Sequence, residues 1–164
     1  ETWFRAMEVP EPLPTLPSEG HSNCLTPGVA EGILLGGCLC LLTDSIGTPY
    51  EPDTAESILL LEDVDEQPHR VDAMLQHLKQ SGMLGPAEAV VVGEMTRTDE
   101  KPDPGIGVRS AESILADHLG RRGVPTVTGF PCGHMTAPLT LPLGVGRHSY
   151  VSGVRHFLSR RFLC

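Results

Sequence analysis

The sequence predicts an α/β domain built on a small, mostly parallel sheet with flanking helices. Three observations carry this. Ile58-Leu59-Leu60-Leu61 and Ala89-Val90-Val91-Val92-Gly93 are short unbroken apolar runs, the mark of strands covered on both faces. Between them Val71, Met74, Leu75 and Leu78 stand at i, i+3, i+4 and i+7, a helical stripe. Strand alternating with helix implies parallel pairing through right-handed crossovers.

A chain of 164 residues is one domain, or one domain with tails. Its net charge of -9 argues against a nucleic-acid or anionic-membrane surface. Residues 147–164 hold Arg147, Arg155, Arg160 and Arg161 and no acid, so residues 1–146 carry -13 (8 minus 21). No apolar run approaches the roughly 20 residues of a membrane span, and no signal peptide is visible. The chain opens on Glu1 rather than Met, as an excised or partial product would. The cysteines, Cys24, Cys38, Cys40, Cys132 and Cys164, are odd in number and fit no disulfide framework, so a reducing compartment is the simpler expectation.

In chain order, Trp3, Phe4 and Met7 read as a helix end, after which Pro10, Pro12, Pro14 and Pro17 force an extended path like that of an interdomain linker. Leu25–Leu35 reads as strand, turn, strand around Gly28 and Gly32. Gly36-Gly37 precedes a short helix with Leu39, Leu42 and Ile46 on one face, stopped by Gly47. Backbone N–H groups after such a Gly-Gly can bind an anion or carboxylate, but close backbone packing is the favoured explanation of the pair. Thr48–Asp53 is a turn. Ile58–Leu61 is the central strand. Pro68 opens the striped helix at its first position and Gly82 ends it. His69 and His77 fall off its apolar face. After the strand Ala89–Gly93, residues 94–107 form a polar loop. Ser110 caps a helix with Ala111, Ile114, Leu115 and Leu119, and Val124–Thr128 is a third strand. Leu139–Gly144 reads as a further strand, with Pro142 best placed at an edge.

Two residues stand where chemistry is placed in such folds. Glu62 is the first charged residue after the central strand, at the edge of the core. His134 lies in the shaped loop Gly129-Phe130-Pro131-Cys132-Gly133-His134, directly beyond a strand. A His held by a carboxylate is a general base in one tautomer, and the pair is two parts of a nucleophilic triad. Taken singly, each also fits a plain surface role: a solvated strand end, and a loop His. The nucleophile has no evident candidate: there is no Gly-x-Ser-x-Gly elbow, Ser45 sits inside a helix pattern, and Cys38 and Cys132 occupy no recognisable elbow. A zinc set of Cys38, Cys40, Cys132 and His134 competes weakly. Structural zinc ligands are usually spaced Cys-x₂₋₄-Cys, and Cys38 and Cys40 diverge around a helix.

Gly36-Gly37-Cys38-Leu39, Gly47-Thr48-Pro49-Tyr50, Leu61-Glu62-Asp63-Val64 with Glu66 and Pro68, Arg70-Val71 with Met74-Leu75, Gly129-Phe130 with Gly133-His134, and Thr140-Leu141-Pro142-Leu143-Gly144 occur in this order. Together they resemble the C-terminal domain of the LD-carboxypeptidases, serine peptidases that include muramoyltetrapeptide carboxypeptidases and the microcin C self-immunity proteins. The resemblance implies a swivelling β/β/α-type domain over residues 25–146, an interdomain linker remnant over 1–24, and a divergent basic tail over 147–164. It implies a Ser–His–Glu triad in which Glu62 and His134 are the catalytic pair. The Ser would belong to an N-terminal domain, which becomes the expected partner. It further implies a murein peptide substrate cut to release terminal D-Ala in cytoplasmic peptidoglycan recycling, homodimers in many members, and neither metal nor cofactor. Alternatives are a silent binding domain without the nucleophile, and an immunity-type hydrolase of an acyl-adenylate. Cys38 departs from the Asn usual in the family after Gly-Gly, and the resemblance ends after Gly146.

Overall fold

In a computed structural model, residues 22–99 and 109–144 are described in full and residues 148–150 by their backbone. The expected linker before Ser22, most of the 94–107 loop, and the rest of the basic tail lie outside the described residues.

The elements are β1 (Asn23–Thr26), β2 (Ala30–Cys38), α1 (Leu39–Ser45), β3 (Ser57–Val64), α2 (Pro68–Ser81), β4 (Ala89–Thr96), α3 (Ala111–Leu119), β5 (Thr126–Thr128) and β6 (His148–Tyr150). They build one sheet in the order β1-β5-β4-β3-β2-β6. The four central strands are parallel and the two edge strands antiparallel. The fold is therefore the α/β class with a mostly parallel sheet.

Side-chain alternation along β3 divides the core into two layers. Leu59 and Leu61 join Leu39 and Leu42 of α1, Val71, Leu75 and Leu78 of α2, and Ile114, Leu115 and Leu119 of α3. The three described helices thus cover one face, as successive crossovers of one hand in one direction require. Ile58 and Leu60 face the other side, where Leu34, Val91, Val127, Phe130 and Cys132 pack, flanked by Leu139 and Leu141. Among the described residues no helix covers this face; the irregular segment after β5 does.

α2 follows its sequence signals closely. Pro68 holds the first turn, Val71, Met74, Leu75 and Leu78 are buried, and Gly82 closes the helix at φ 89°, in the left-handed region. α3 starts at Ser110, whose hydroxyl accepts the Ser113 N–H at 3.2 Å, while Asp99 accepts the Ala111 N–H at 2.8 Å. His118 and Arg109 both bridge to Asp72, tying α3 to α2.

Four findings differ from the sequence reading or add to it. Gly36 and Gly37 belong to β2, and Cys38, read together with Cys40 as helical, ends that strand. A Cβ on Gly36 would fall 2.1 Å from the Leu60 carbonyl oxygen, so close backbone packing is indeed what requires this glycine. Leu139–Gly144 is not a strand: Leu139 and Leu141 alternate because they lie over the sheet, and Pro142 has no N–H for a ladder. The basic tail begins with β6, paired to β2 from Ala30↔Tyr150 to Gly32↔His148. Cys24 is disulfide-bonded, which the spacings did not suggest; Cys38, Cys40 and Cys132 are free thiols.

Candidate active site

β3 ends in two consecutive buried acids that face opposite sides of the sheet. The register between β3 and β4 breaks between Leu61 and Asp63, so that Glu62 lies opposite a bulge at Gly93-Glu94. Asp63 turns to the helix side. It is 2 % exposed, and its carboxylate accepts the Cys40 N–H at 2.9 Å, its neighbour Val64 N–H at 2.8 Å and the Cys38 thiol at 3.7 Å. The carboxylate that meets the backbone N–H groups after Gly-Gly is therefore this chain's own. Sequence reasoning missed that role, since Asp63 read as part of a solvated strand end. The signal was its position in strict alternation with Glu62 beyond a buried run.

Glu62 turns to the opposite side, under the loop that leaves β5. That loop is fastened to β4: the Phe130 N–H donates to the Val92 carbonyl at 3.0 Å, and the Glu94 N–H to the Cys132 carbonyl at 2.9 Å. The Thr96 hydroxyl donates to the His134 carbonyl at 2.6 Å. These bonds deliver His134 onto Glu62, with Nδ1 2.8 Å from Oε2. The Glu62 side chain is 10 % exposed and that of His134 55 %. A carboxylate oxygen only accepts, so toward an ionised Glu62 Nδ1 is the donor, and in a neutral ring Nε2 is the nitrogen that keeps a lone pair. Nε2 has no partner among the described residues and sits on an imidazole that is half in solvent. The arrangement holds one ring nitrogen on the acid and leaves the other without a partner among the described residues.

The thiols do not complete it. Burial, reinforced by the Glu62 charge, pushes the Cys132 thiol up to about 12. Burial, with the Asp63 and Glu62 charges, also raises Cys38, and burial with the Asp44 charge raises Cys40. All three stay protonated near neutral pH and are poor nucleophiles. Cys40 packs against the helix-side core and Cys132 in the opposite layer, so the four-ligand metal set does not converge. Among the described residues no three His, Cys, Asp or Glu side chains gather around a point. His69 and His77 lie exposed on α2.

Beyond the strand ends, Asp65 (φ 62°) and Arg97 (φ 59°) both adopt left-handed backbone and are ion-paired to each other, with Arg97 Nε 2.9 Å from Asp65 Oδ1. The pair ties the ends of β3 and β4 beside the Glu62–His134 contact.

The family profile described as LD-carboxypeptidase C-terminal domain matches residues 31–147. The chain belongs to this family. A probable murein peptide carboxypeptidase of Bacillus subtilis is 39 % identical over 121 residues, 73 % of this chain and 37 % of that protein. The crystal structure of a muramoyltetrapeptide carboxypeptidase from Oxalobacter formigenes superposes with a TM-score of 0.71 at 30 % identity, covering 93 % of this chain and 50 % of that one. The microcin C7 self-immunity protein MccF of Escherichia coli is 29 % identical over 119 residues, 72 % of this chain and 33 % of that protein. The domain thus spans less than half the length of the curated relatives it matches. Among its described residues no helix is long and apolar enough to cross a membrane.

Proposed function

We propose that the domain supplies the base and the orienting acid of a serine LD-carboxypeptidase that releases the terminal D-Ala of murein tetrapeptide. The observation that carries this reading is the Glu62–His134 contact through Nδ1, on an imidazole half exposed to solvent. In the proposed reaction Nε2 takes the proton of a serine hydroxyl as its oxygen attacks the scissile carbonyl. The imidazolium then protonates the leaving amine of D-Ala. A water, deprotonated by the same nitrogen, cleaves the acyl-enzyme. Glu62 holds the tautomer throughout and stabilises the imidazolium. The serine comes from an N-terminal domain, with residues 1–24 as the connection. The recycling role implies a cytoplasmic setting, and homodimers belong to the same reading.

The test is D-Ala release by the chain alone, by the chain joined to a matching N-terminal domain, and by the joined protein carrying Glu62→Gln or His134→Ala. The chain alone should be inactive, because it presents a base without the hydroxyl it serves. The joined protein should turn over. Each substitution should cost about 10³–10⁴-fold or more in kcat. Turnover by the isolated chain that survives His134→Ala would place the chemistry elsewhere. The similarity to MccF supports a second reading, hydrolysis of an acyl-adenylate, and the same proteins assayed on that substrate decide between the two.

A further inference from the structure

Glu62 is held in a slot with glycine on both walls. On one side is Gly93, in the β4 bulge: a Cβ there would fall 2.6 Å from Cys132 Sγ, 2.7 Å from the Cys132 carbonyl oxygen and 3.2 Å from Glu62 Cβ. On the other is Gly133, next to the histidine itself: its Cβ would fall 2.7 Å from Glu62 Oε2, 3.0 Å from Cβ and 3.2 Å from Cγ. The two glycines differ in backbone. Gly133 has φ 101°, where any side chain is strained, whereas Gly93 does not have a left-handed backbone and is glycine for space alone. Cys132, 3 % exposed, fills the gap between them.

We infer that Gly133 is a positioning residue of the catalytic pair: by leaving the Glu62 carboxylate room beneath the loop, it holds Oε2 on His134 Nδ1 and so fixes which imidazole nitrogen faces the substrate. The inference rests on the reading of Glu62 and His134 as base and orienting acid. Its logic lies in what yields when the room is filled. The atom nearest a Cβ at position 133 is the free end of a flexible side chain. The carboxylate therefore has to move furthest, with Glu62 Cβ and Cγ giving by a few tenths of an ångström, and the oxygen that moves is the one bonded to Nδ1. Filling the slot should break the pair while leaving the sheet intact. Once the bond is lost, the neutral imidazole divides its proton between the two nitrogens, and in a growing share of molecules Nε2 is no longer a base.

The experiment uses the full chain with ¹⁵N-labelled histidine at a pH where the ring is neutral, the His134 signals being assigned by their loss in His134→Gln. The wild type should show a hydrogen-bonded Nδ1–H on His134 and an unprotonated Nε2. Gly133→Ala should lose that Nδ1–H signal and show mixed tautomers, with its backbone amide spectrum otherwise kept. Gly82→Ala is the control. It introduces the same kind of left-handed strain, at φ 89° and with nothing within 4 Å of the added carbon, and should leave His134 unchanged. If Gly133→Ala does not fold, it is combined with Glu62→Ala. Recovery of folding by the double variant supports the slot, and a double variant that is still unfolded overturns it. A folded Gly133→Ala that keeps the His134 signal also overturns it. A wild type without the Nδ1–H signal instead removes the catalytic reading on which the inference stands.

Discussion

Replacing Asp63 with alanine should loosen the start of α1, and the structure gives the size of the effect. The carboxylate is 2 % exposed and accepts two backbone N–H groups, from Cys40 at 2.9 Å and Val64 at 2.8 Å. A hydrogen bond to a charged group contributes about 1.5–3 kcal/mol, and removing the acceptor leaves its donor unsatisfied. The Val64 bond is local and survives partly as solvation in the unfolded chain. Removing the acid also relieves the cost of burying it. The net loss should be about 2–4 kcal/mol, a fall of roughly 4–16 °C in Tm for a chain of this size. Asp63→Asn keeps one acceptor oxygen and should fall between alanine and wild type. Thermal unfolding followed by circular dichroism reads the shift. Hydrogen exchange at the Cys40 amide, protected in the wild type and open in the variant, locates it. An Asp63→Ala protein with wild-type Tm and a protected Cys40 amide would show that the carboxylate does not fasten the helix.

Because folding raises the Cys132 thiol from 9.0 to about 12, its contribution to stability is complete below pH 9 and is lost as pH rises towards 12. The wild type should therefore weaken against Cys132→Ala by about 1.4 kcal/mol per pH unit above pH 9, measured by urea unfolding, and at pH 8 Cys132 should react with a thiol reagent only on unfolding. Ser110→Ala should cost about 0.5–2 kcal/mol through the lost Ser113 contact, with Ser110→Asp close to wild type in the same measurement.

What was legible in the sequence was what local chemistry decides. The run Ile58–Leu61 is short, unbroken and apolar, as a strand covered on both faces is, and α2 runs from Pro68 to its Gly82 stop because both ends are written in residue type. The closeness of Glu62 and His134 could be read from parallel topology, since parallel strands bring their ends to one edge of the sheet. What escaped depends on partners distant in the chain. Asp63 acts on a backbone N–H 23 residues upstream. Close packing is the expected reason for Gly36, but that its neighbour is the Leu60 carbonyl could be read only from the strand register. Leu139 and Leu141 alternate like a strand, yet what they follow is the surface of the sheet beneath them.

The way the chain enters the sheet bears on how a divided active centre would be assembled. β1 runs antiparallel to β5, with Asn23 opposite Thr128, and the Ser22 hydroxyl reaches the Gly129 carbonyl at 3.2 Å. The entry point is thus the foot of the loop that carries His134. It lies three strand positions from Glu62, about 14 Å at about 4.8 Å per strand. In the proposed reading, a nucleophile carried by the preceding part of the chain is tethered beside its base. Its effective concentration is then set by the connection, in the millimolar range or above for a short one, and is independent of how dilute the protein becomes. Severing that connection would turn a first-order encounter into a second-order one, and activity that had been a property of one molecule would come to depend on the concentration of two.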